Sequence, residues 1–262
     1  MTTVKDIYNF IDEIAPFRIQ DSWDNSGLLV GRGEAGVTKV LLSLDATVDA
    51  IDQAHDSGCE LIITHHPVIF HGLMSLDDSL PAARLLKYDI ACISAHTNLD
   101  SAEYSISDMM VDTLGLKNSH QLIDVNRRDT VTGRAVGYGA TAECEEELTP
   151  YELARLCKER FNCVAIKYVA GKRKIRRVGM VSGAGSDWLY QAHKMGLDAF
   201  ITAEVKHHEF LDAQRLGLTL IDAGHHETEA IAMPYLKKLL EEKFSDVSFE
   251  LARSGFAAST VL

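Results

Sequence analysis

Two short segments of this chain carry side chains of the types that bind divalent metal ions. Thr64-His65-His66-Pro67 follows the apolar run 61–63, and Gly224-His225-His226-Glu227-Thr228-Glu229 follows the apolar run 218–221. Short apolar runs rich in branched residues predict strands that are buried on both faces. Imidazole and carboxylate groups at strand ends are suitable ligands for a divalent cation. The sequence therefore indicates that the protein binds metal and performs chemistry with it.

The second segment spaces a histidine and a carboxylate for one face of a helix. His225 and Glu229 are four residues apart, and the apolar residues between 230 and 236 predict that a helix begins here. Side chains at positions i and i+4 lie above one another on a helix. The two side chains could therefore share one ion.

A third segment, Ser94–Asp100, follows the apolar run 90–93 and adds His96 and Asp100. Open, hydrolytic metal sites gather their ligands from several such loops, whereas the tight ligand spacings of a structural zinc site are absent from this sequence. In the alternative interpretation these histidines are hydrogen-bonded structural residues. That alternative predicts purified protein without stoichiometric metal.

The composition restricts the class of protein. The chain has 262 residues, of which 46% are apolar, so it can form one large or two modest domains. A net charge of -12 without a basic stripe argues against nucleic-acid binding. No secretory signal or membrane-length apolar run is present, so we expect a soluble, cytoplasmic protein without a membrane partner. The five scattered cysteines predict reduced thiols rather than metal ligands.

The chain contains an internal repeat. At an offset of 138, residues 39–64 align with residues 177–202 without a gap, and nine positions are identical. Each copy has the pattern of a β-α-β unit followed by a further helix and strand, which predicts parallel strand pairing. We therefore expect an α/β fold with two similar, duplicated halves packed around a metal-containing cleft. The predicted halves are residues 1–125, with the His-His-Pro loop, and residues 126–262, with the Gly-His-His-Glu-Thr-Glu segment.

Two further motifs have structural interpretations. The basic cluster in Lys172–Arg177 predicts a solvated hairpin turn, with attraction of an anionic substrate as the alternative. Ser182–Asp187 is glycine-rich but lacks a phosphate-loop lysine. It predicts an ordinary strand-to-helix turn capped by Ser186 or Asp187.

Five motifs together resemble the NIF-three-like family, the GTP cyclohydrolase 1 type 2 homologues. They are Asp24–Gly31, the Thr-His-His-Pro turn, His96–Asp100, Ile201–Glu204 and Gly224–Glu229. The resemblance implies a two-metal centre in the cleft and a toroidal homohexamer. It also implies the metal ligands, which would be His65, His66, Asp100, His225 and Glu229.

The resemblance implies two divalent metal ions per subunit, with zinc, iron or manganese as candidates. We expect a cyclohydrolase-like, metal-dependent hydrolase with a nucleotide-like small-molecule substrate, although only the family name points to that substrate. His96 and Glu204 are the candidate catalytic residues, as general acid, general base or orienting groups. The alternative is a non-catalytic metal carrier, an insertion factor or a regulatory ring that binds partners.

Overall fold

The computed structural model describes residues 1–119 and 121–253, in which helices and strands alternate along the chain. The helices are α1 (Val4–Ile14), α2 (Val48–Asp56), α3 (Pro81–Tyr88), α4 (Thr97–Asp100), α5 (Ile106–Leu114), α6 (Pro150–Arg160), α7 (Leu189–Lys194), α8 (His207–Leu216), α9 (His225–Glu229) and α10 (Ala232–Lys243), with 3₁₀ turns at Phe17–Ile19 and Ser186–Trp188. The strands are β1 (Gly27–Val30), β2 (Lys39–Ser43), β3 (Leu61–Thr64), β4 (Ala91–Ser94), β5 (Lys117–Asn118), β6 (Asp124–Arg128), β7 (Ala135–Tyr138), β8 (Ala140–Leu148), β9 (Lys167–Val169), β10 (Ile175–Met180), β11 (Ala199–Thr202), β12 (Thr219–Asp222) and β13 (Ser248–Leu251).

Local capping explains where several of these helices begin. The hydroxyl of Thr149 accepts a hydrogen bond from the backbone N–H of Glu152, whose carboxylate accepts one from the backbone N–H of Thr149. Pro150 occupies the first turn, where a missing N–H costs nothing. Thr149 and Pro150 therefore set the start of α6. None of the helices in the described parts of the chain combines the length and apolar composition that a bilayer crossing requires.

The first of two compact units contains Met1–Glu103 and, within the described residues, 232–253. Its sheet has the order β1-β4-β3-β2-β13. The pairs β13–β2, β2–β3 and β3–β4 are parallel, and β1 pairs antiparallel with β4. All residues of β3 and β4 are buried, as their apolar sequences predict.

The second unit contains Tyr104–Ile231. Its sheet has the order β5-β8-β10-β11-β12-β9, and β6 and β7 form a separate two-stranded ribbon. β10, β11 and β12 are parallel, whereas β8 and β9 pair antiparallel with β10 and β12. The order β10-α7-β11, with β12 beside β11, repeats the order β2-α2-β3, with β4 beside β3. The predicted α/β fold of two similar halves is confirmed.

The bounds of these units differ from the predicted halves 1–125 and 126–262. The chain leaves the first unit after Glu103 and returns to it at Ala232, because β13 adds to the edge of the first sheet beside β2. Phe249 of β13 is buried and is paired with Val40. Residues 254–262 of the predicted second half lie outside the described residues.

The structure corrects one detail in each of the two predicted turns, namely the hairpin pairing of the first and the capping residue of the second. β9 and β10 are not neighbours in the sheet, so Lys172–Arg177 does not form a hairpin. The guanidinium of Arg177, the third residue of β10, donates instead to the carbonyl of Met195. In Ser182–Asp187, Gly185 rather than a polar side chain precedes the 3₁₀ turn, and the Ser186 hydroxyl donates to Glu209.

The five cysteines are buried and free of disulfides. Burial raises the pKa of Cys59 to about 11 and that of Cys163 to about 12. Both thiols therefore stay protonated at neutral pH, which agrees with the prediction of reduced thiols.

Candidate metal-binding residues

Three histidines of the first unit form a compact cluster. His65 and His66 follow β3, and His96 follows the neighbouring parallel strand β4. The carboxyl ends of parallel strands meet at one edge of a sheet, which brings the three rings together. One ligand atom from each histidine lies within 4.8 Å of those of the other two. The structure thus places His96, predicted as a catalytic residue, beside the predicted ligands His65 and His66.

Each of these rings is held at its Nδ1 atom by an oxygen. The Nδ1 atoms of His65, His66 and His96 donate to the Ala95 carbonyl (2.8 Å), the Asp45 carboxylate (2.7 Å) and the Asp24 carboxylate (2.8 Å). A neutral imidazole with its proton on Nδ1 has its lone pair on Nε2. Metal-ligating histidines are oriented in this way by carboxylates and backbone carbonyls. The cluster therefore fits a divalent metal ion.

Asp24 is the most constrained of these oxygen partners. Its side chain is 0% exposed and accepts hydrogen bonds from His96, the Ser26 hydroxyl, and the backbone N–H and hydroxyl of Thr97. Burial alone would raise the pKa of Asp24, but the hydrogen bonds from His96, Thr97 and Ser26 outweigh it and hold that pKa well below its usual range. A permanent carboxylate thus fixes the orientation of the His96 ring.

Asp100, a predicted ligand, lies at the edge of this cluster. It is the last residue of α4, and its Oδ1 atom is 3.9 Å from Nε2 of His65. Its side chain is 13% exposed. A carboxylate at this distance adds negative charge beside His65, which favours a divalent cation there.

The second unit contains a histidine held by two carboxylates. The helix predicted at Gly224–Glu229 is confirmed as α9, and it brings Nε2 of His225 within 3.0 Å of Oε2 of Glu229. The predicted catalytic residue Glu204 follows β11 and accepts a hydrogen bond from Nδ1 of His225 at 2.7 Å. Glu204 therefore orients His225 as Asp24 orients His96.

The charge on His225 depends on its contacts with Glu229 and Glu204. The hydrogen bond with Glu229 raises the pKa of His225 to about 9; burial opposes the shift, and the hydrogen bond with Glu204 adds to it. In the metal-free protein at neutral pH, the ring is a cation between two carboxylates. A divalent cation bound at Nε2 would replace its proton.

Gly183 packs directly against this pair, although the sequence suggested only a turn around it. Its φ angle is +58°, and a methyl group at its Cα would lie 2.0 Å from Oε1 of Glu229 and 3.2 Å from Nε2 of His225. Its N–H donates to the Thr228 hydroxyl. Only glycine fits here without displacing Glu229. The internal repeat could have pointed to this position. Gly183 aligns with Asp45, whose carboxylate accepts a hydrogen bond from His66.

Comparison with known proteins agrees with this fold and these motifs. The family model of Duf34/NIF3 (NGG1p interacting factor 3) matches residues 2–258. A Clostridium acetobutylicum protein is 35% identical over 243 residues, covering 91% of this chain and 89% of the relative, and one from Clostridium perfringens is 33% identical over 258 residues, covering 96% and 97%. Both relatives bear the name GTP cyclohydrolase 1 type 2 homolog.

The crystal structure of a Staphylococcus aureus hypothetical protein superposes with a TM-score of 0.92 at 30% identity, covering 99% of both chains. The match of the family model to nearly the whole chain and the similarity of the relatives lead to the same assignment. The chain belongs to the Duf34/NIF3 family.

Proposed function

We propose that this protein is a dinuclear, divalent-metal-dependent hydrolase of the cyclohydrolase type that acts on a nucleotide-like substrate. The observation that carries the proposal is the set of three clustered histidines, each held at Nδ1 by an oxygen so that Nε2 can bind a cation. The name of the two clostridial relatives supports the substrate class.

Each unit contains its own group of proposed ligands. They are His65, His66 and Asp100 in the first unit and His225 and Glu229 in the second, and the cluster adds His96 as a further candidate. Nitrogen and oxygen ligands without sulfur suit zinc, iron or manganese. Bound divalent ions would lower the pKa of a water molecule and polarise an electrophilic carbon or phosphorus atom.

The roles of the remaining residues follow from their contacts. Asp24, Asp45 and Glu204 hold His96, His66 and His225 in the ring orientation and tautomer that leave Nε2 as the ligand atom. The Glu204 side chain is also 59% exposed, so water can reach its carboxylate. Glu204 can therefore exchange a proton with solvent as well as orient His225.

The proposal is tested with purified protein. Elemental analysis should find about two divalent ions per chain, the number expected for a two-metal site. The metal-loaded protein should hydrolyse at least one member of a panel of nucleotides and phosphoesters, and chelator-stripped protein should not. Retained metal without turnover on any substrate would instead support the metal-carrier alternative. Protein that cannot be loaded with stoichiometric metal would contradict the proposal altogether.

The Glu204→Gln substitution should weaken metal binding by about 10- to 100-fold, because the oriented partner of His225 loses its charge. Titration of stripped protein with zinc and a competing chelator measures this change. Glu159→Gln is the matched control, since Glu159 forms an exposed ion pair with Arg155 in the same unit. If both variants bind zinc as tightly as the unmodified protein, Glu204 has no part in the metal site.

The toroidal homohexamer that the resemblance implies and the cytoplasmic location that the sequence predicts are also proposals. Light scattering of the purified protein measures the number of subunits, and a stable monomer would contradict the hexamer.

A further inference from the structure

Two large aromatic side chains of the first unit lie together on its surface. Trp23 and Phe70 are stacked, with ring centroids 5.9 Å apart and an interplanar angle of 23°. They are 55% and 40% exposed. A single exposed aromatic residue is common in soluble proteins. A stacked pair that keeps much of its surface in water offers a flat, apolar face to a ligand.

This pair is next to the histidine cluster. The ring centroid of His96 is 6.0 Å from that of Trp23 and 5.8 Å from that of Phe70, and both contacts are edge-to-face. His96 in turn contacts His65 and His66 at 5.0 Å and 5.5 Å. Five rings therefore form one continuous group, with the candidate metal ligands at one end and the exposed pair at the other.

The pair is also held in place. The side chain of Asn25 donates to the carbonyl of Ile69 at 2.6 Å, which joins the loop that carries Trp23 to the loop that carries Phe70. Asp24, the neighbour of Trp23, is fixed to His96 by its buried carboxylate. A surface that is organised before binding loses little entropy when a ligand arrives.

We propose that Trp23 and Phe70 form the surface on which a planar heteroaromatic ring, such as a purine base, stacks beside the metal-binding residues. This inference rests on the proposed function and specifies how its nucleotide-like substrate is held. Stacking on aromatic side chains recognises the π-face of a base. Residues 21–26 and 66–71 contain no lysine or arginine, so these two loops recognise the ring rather than a phosphate group.

The first experiment uses the fluorescence of Trp23. The chain has two tryptophans, and Trp188 packs against Tyr138, so a Trp188→Phe variant leaves Trp23 as the only indole. Guanosine should quench its fluorescence saturably in both metal-loaded and metal-stripped protein, whereas ribose 5-phosphate should not. Absence of saturable quenching by guanosine, or equal quenching by both compounds, would overturn the inference.

The second experiment measures affinity directly. Equilibrium dialysis with labelled guanosine should show at least about fivefold weaker binding to Trp23→Ala, with metal content unchanged and with partial recovery in Trp23→Phe. Tyr168→Ala, which removes another exposed aromatic side chain on β9, should bind guanosine normally.

These outcomes separate the inference from the proposed function. Guanosine binding that depends on Trp23, without hydrolysis of any substrate, would support the inference and contradict the hydrolase. Hydrolysis with unchanged guanosine affinity in Trp23→Ala would support the hydrolase and contradict the inference. A Trp23→Ala variant that changes the number of subunits but not guanosine affinity would identify the pair as a contact between copies of the chain, and it would overturn the inference.

Discussion

Gly183→Ala is expected to abolish metal binding at the His225–Glu229 pair and to lower the free energy of unfolding by about 2–5 kcal/mol. The added methyl group would lie 2.0 Å from Oε1 of Glu229, so the carboxylate must move. The Glu229 side chain is only 6% exposed and has little room to do so. The φ angle of +58° adds the cost of a left-handed backbone for alanine.

Gly196→Ala is the matched control for this prediction. Gly196 lies in the same unit with a φ angle of +70°, and its nearest neighbour would be Nη1 of Arg177 at an ordinary 3.7 Å. This variant should show only the backbone cost of about 1–2 kcal/mol and retain its metal. Urea unfolding of stripped protein and elemental analysis of loaded protein measure both quantities. Equal behaviour of the two variants would mean that Gly183 does not position Glu229.

The parts of the fold that depend on local patterns were predictable from the sequence. The apolar runs before His65, His96 and Gly224 are the buried strands β3, β4 and β12, because only strands covered on both faces tolerate continuous branched apolar sequence. The spacing of His225 and Glu229 predicted their contact, because an i, i+4 pair meets wherever a helix forms.

The parts that depend on distant contacts were not predictable. β13 is a short C-terminal strand, and nothing in its sequence indicates that it pairs with β2, more than 200 residues away. The unit bounds differ from the predicted ones for this reason. The roles of Asp24 and Asp45 were missed in the same way, since each acts on a histidine that lies 72 or 21 positions further along the chain. A carboxylate in a polar loop has no spacing that reveals such a partner.

The contact between Asp24 and His96 leads to a second prediction with a large effect. Asp24→Asn should weaken zinc binding by about 10- to 100-fold and lower the free energy of unfolding by about 1–3 kcal/mol. The carboxylate accepts from donors on both oxygens, including the backbone N–H of Thr97 and Nδ1 of His96. An asparagine amide must direct its NH₂ group at one of these donors, which leaves a buried N–H without an acceptor.

Two further substitutions make this prediction specific. Asp45→Asn should have a smaller effect than Asp24→Asn on zinc affinity, because the Asp45 side chain is 36% exposed and water can replace part of its interaction with His66. Asp52→Asn removes a carboxylate that pairs with Arg84 in the same unit, and it should leave zinc affinity unchanged. Competition titrations with a chelator would give the three affinities. The loss of zinc affinity should be largest for Asp24→Asn, smaller for Asp45→Asn and absent for Asp52→Asn. Any other order would contradict the orienting role, because His96 and His66 depend on their carboxylates according to how deeply each carboxylate is buried.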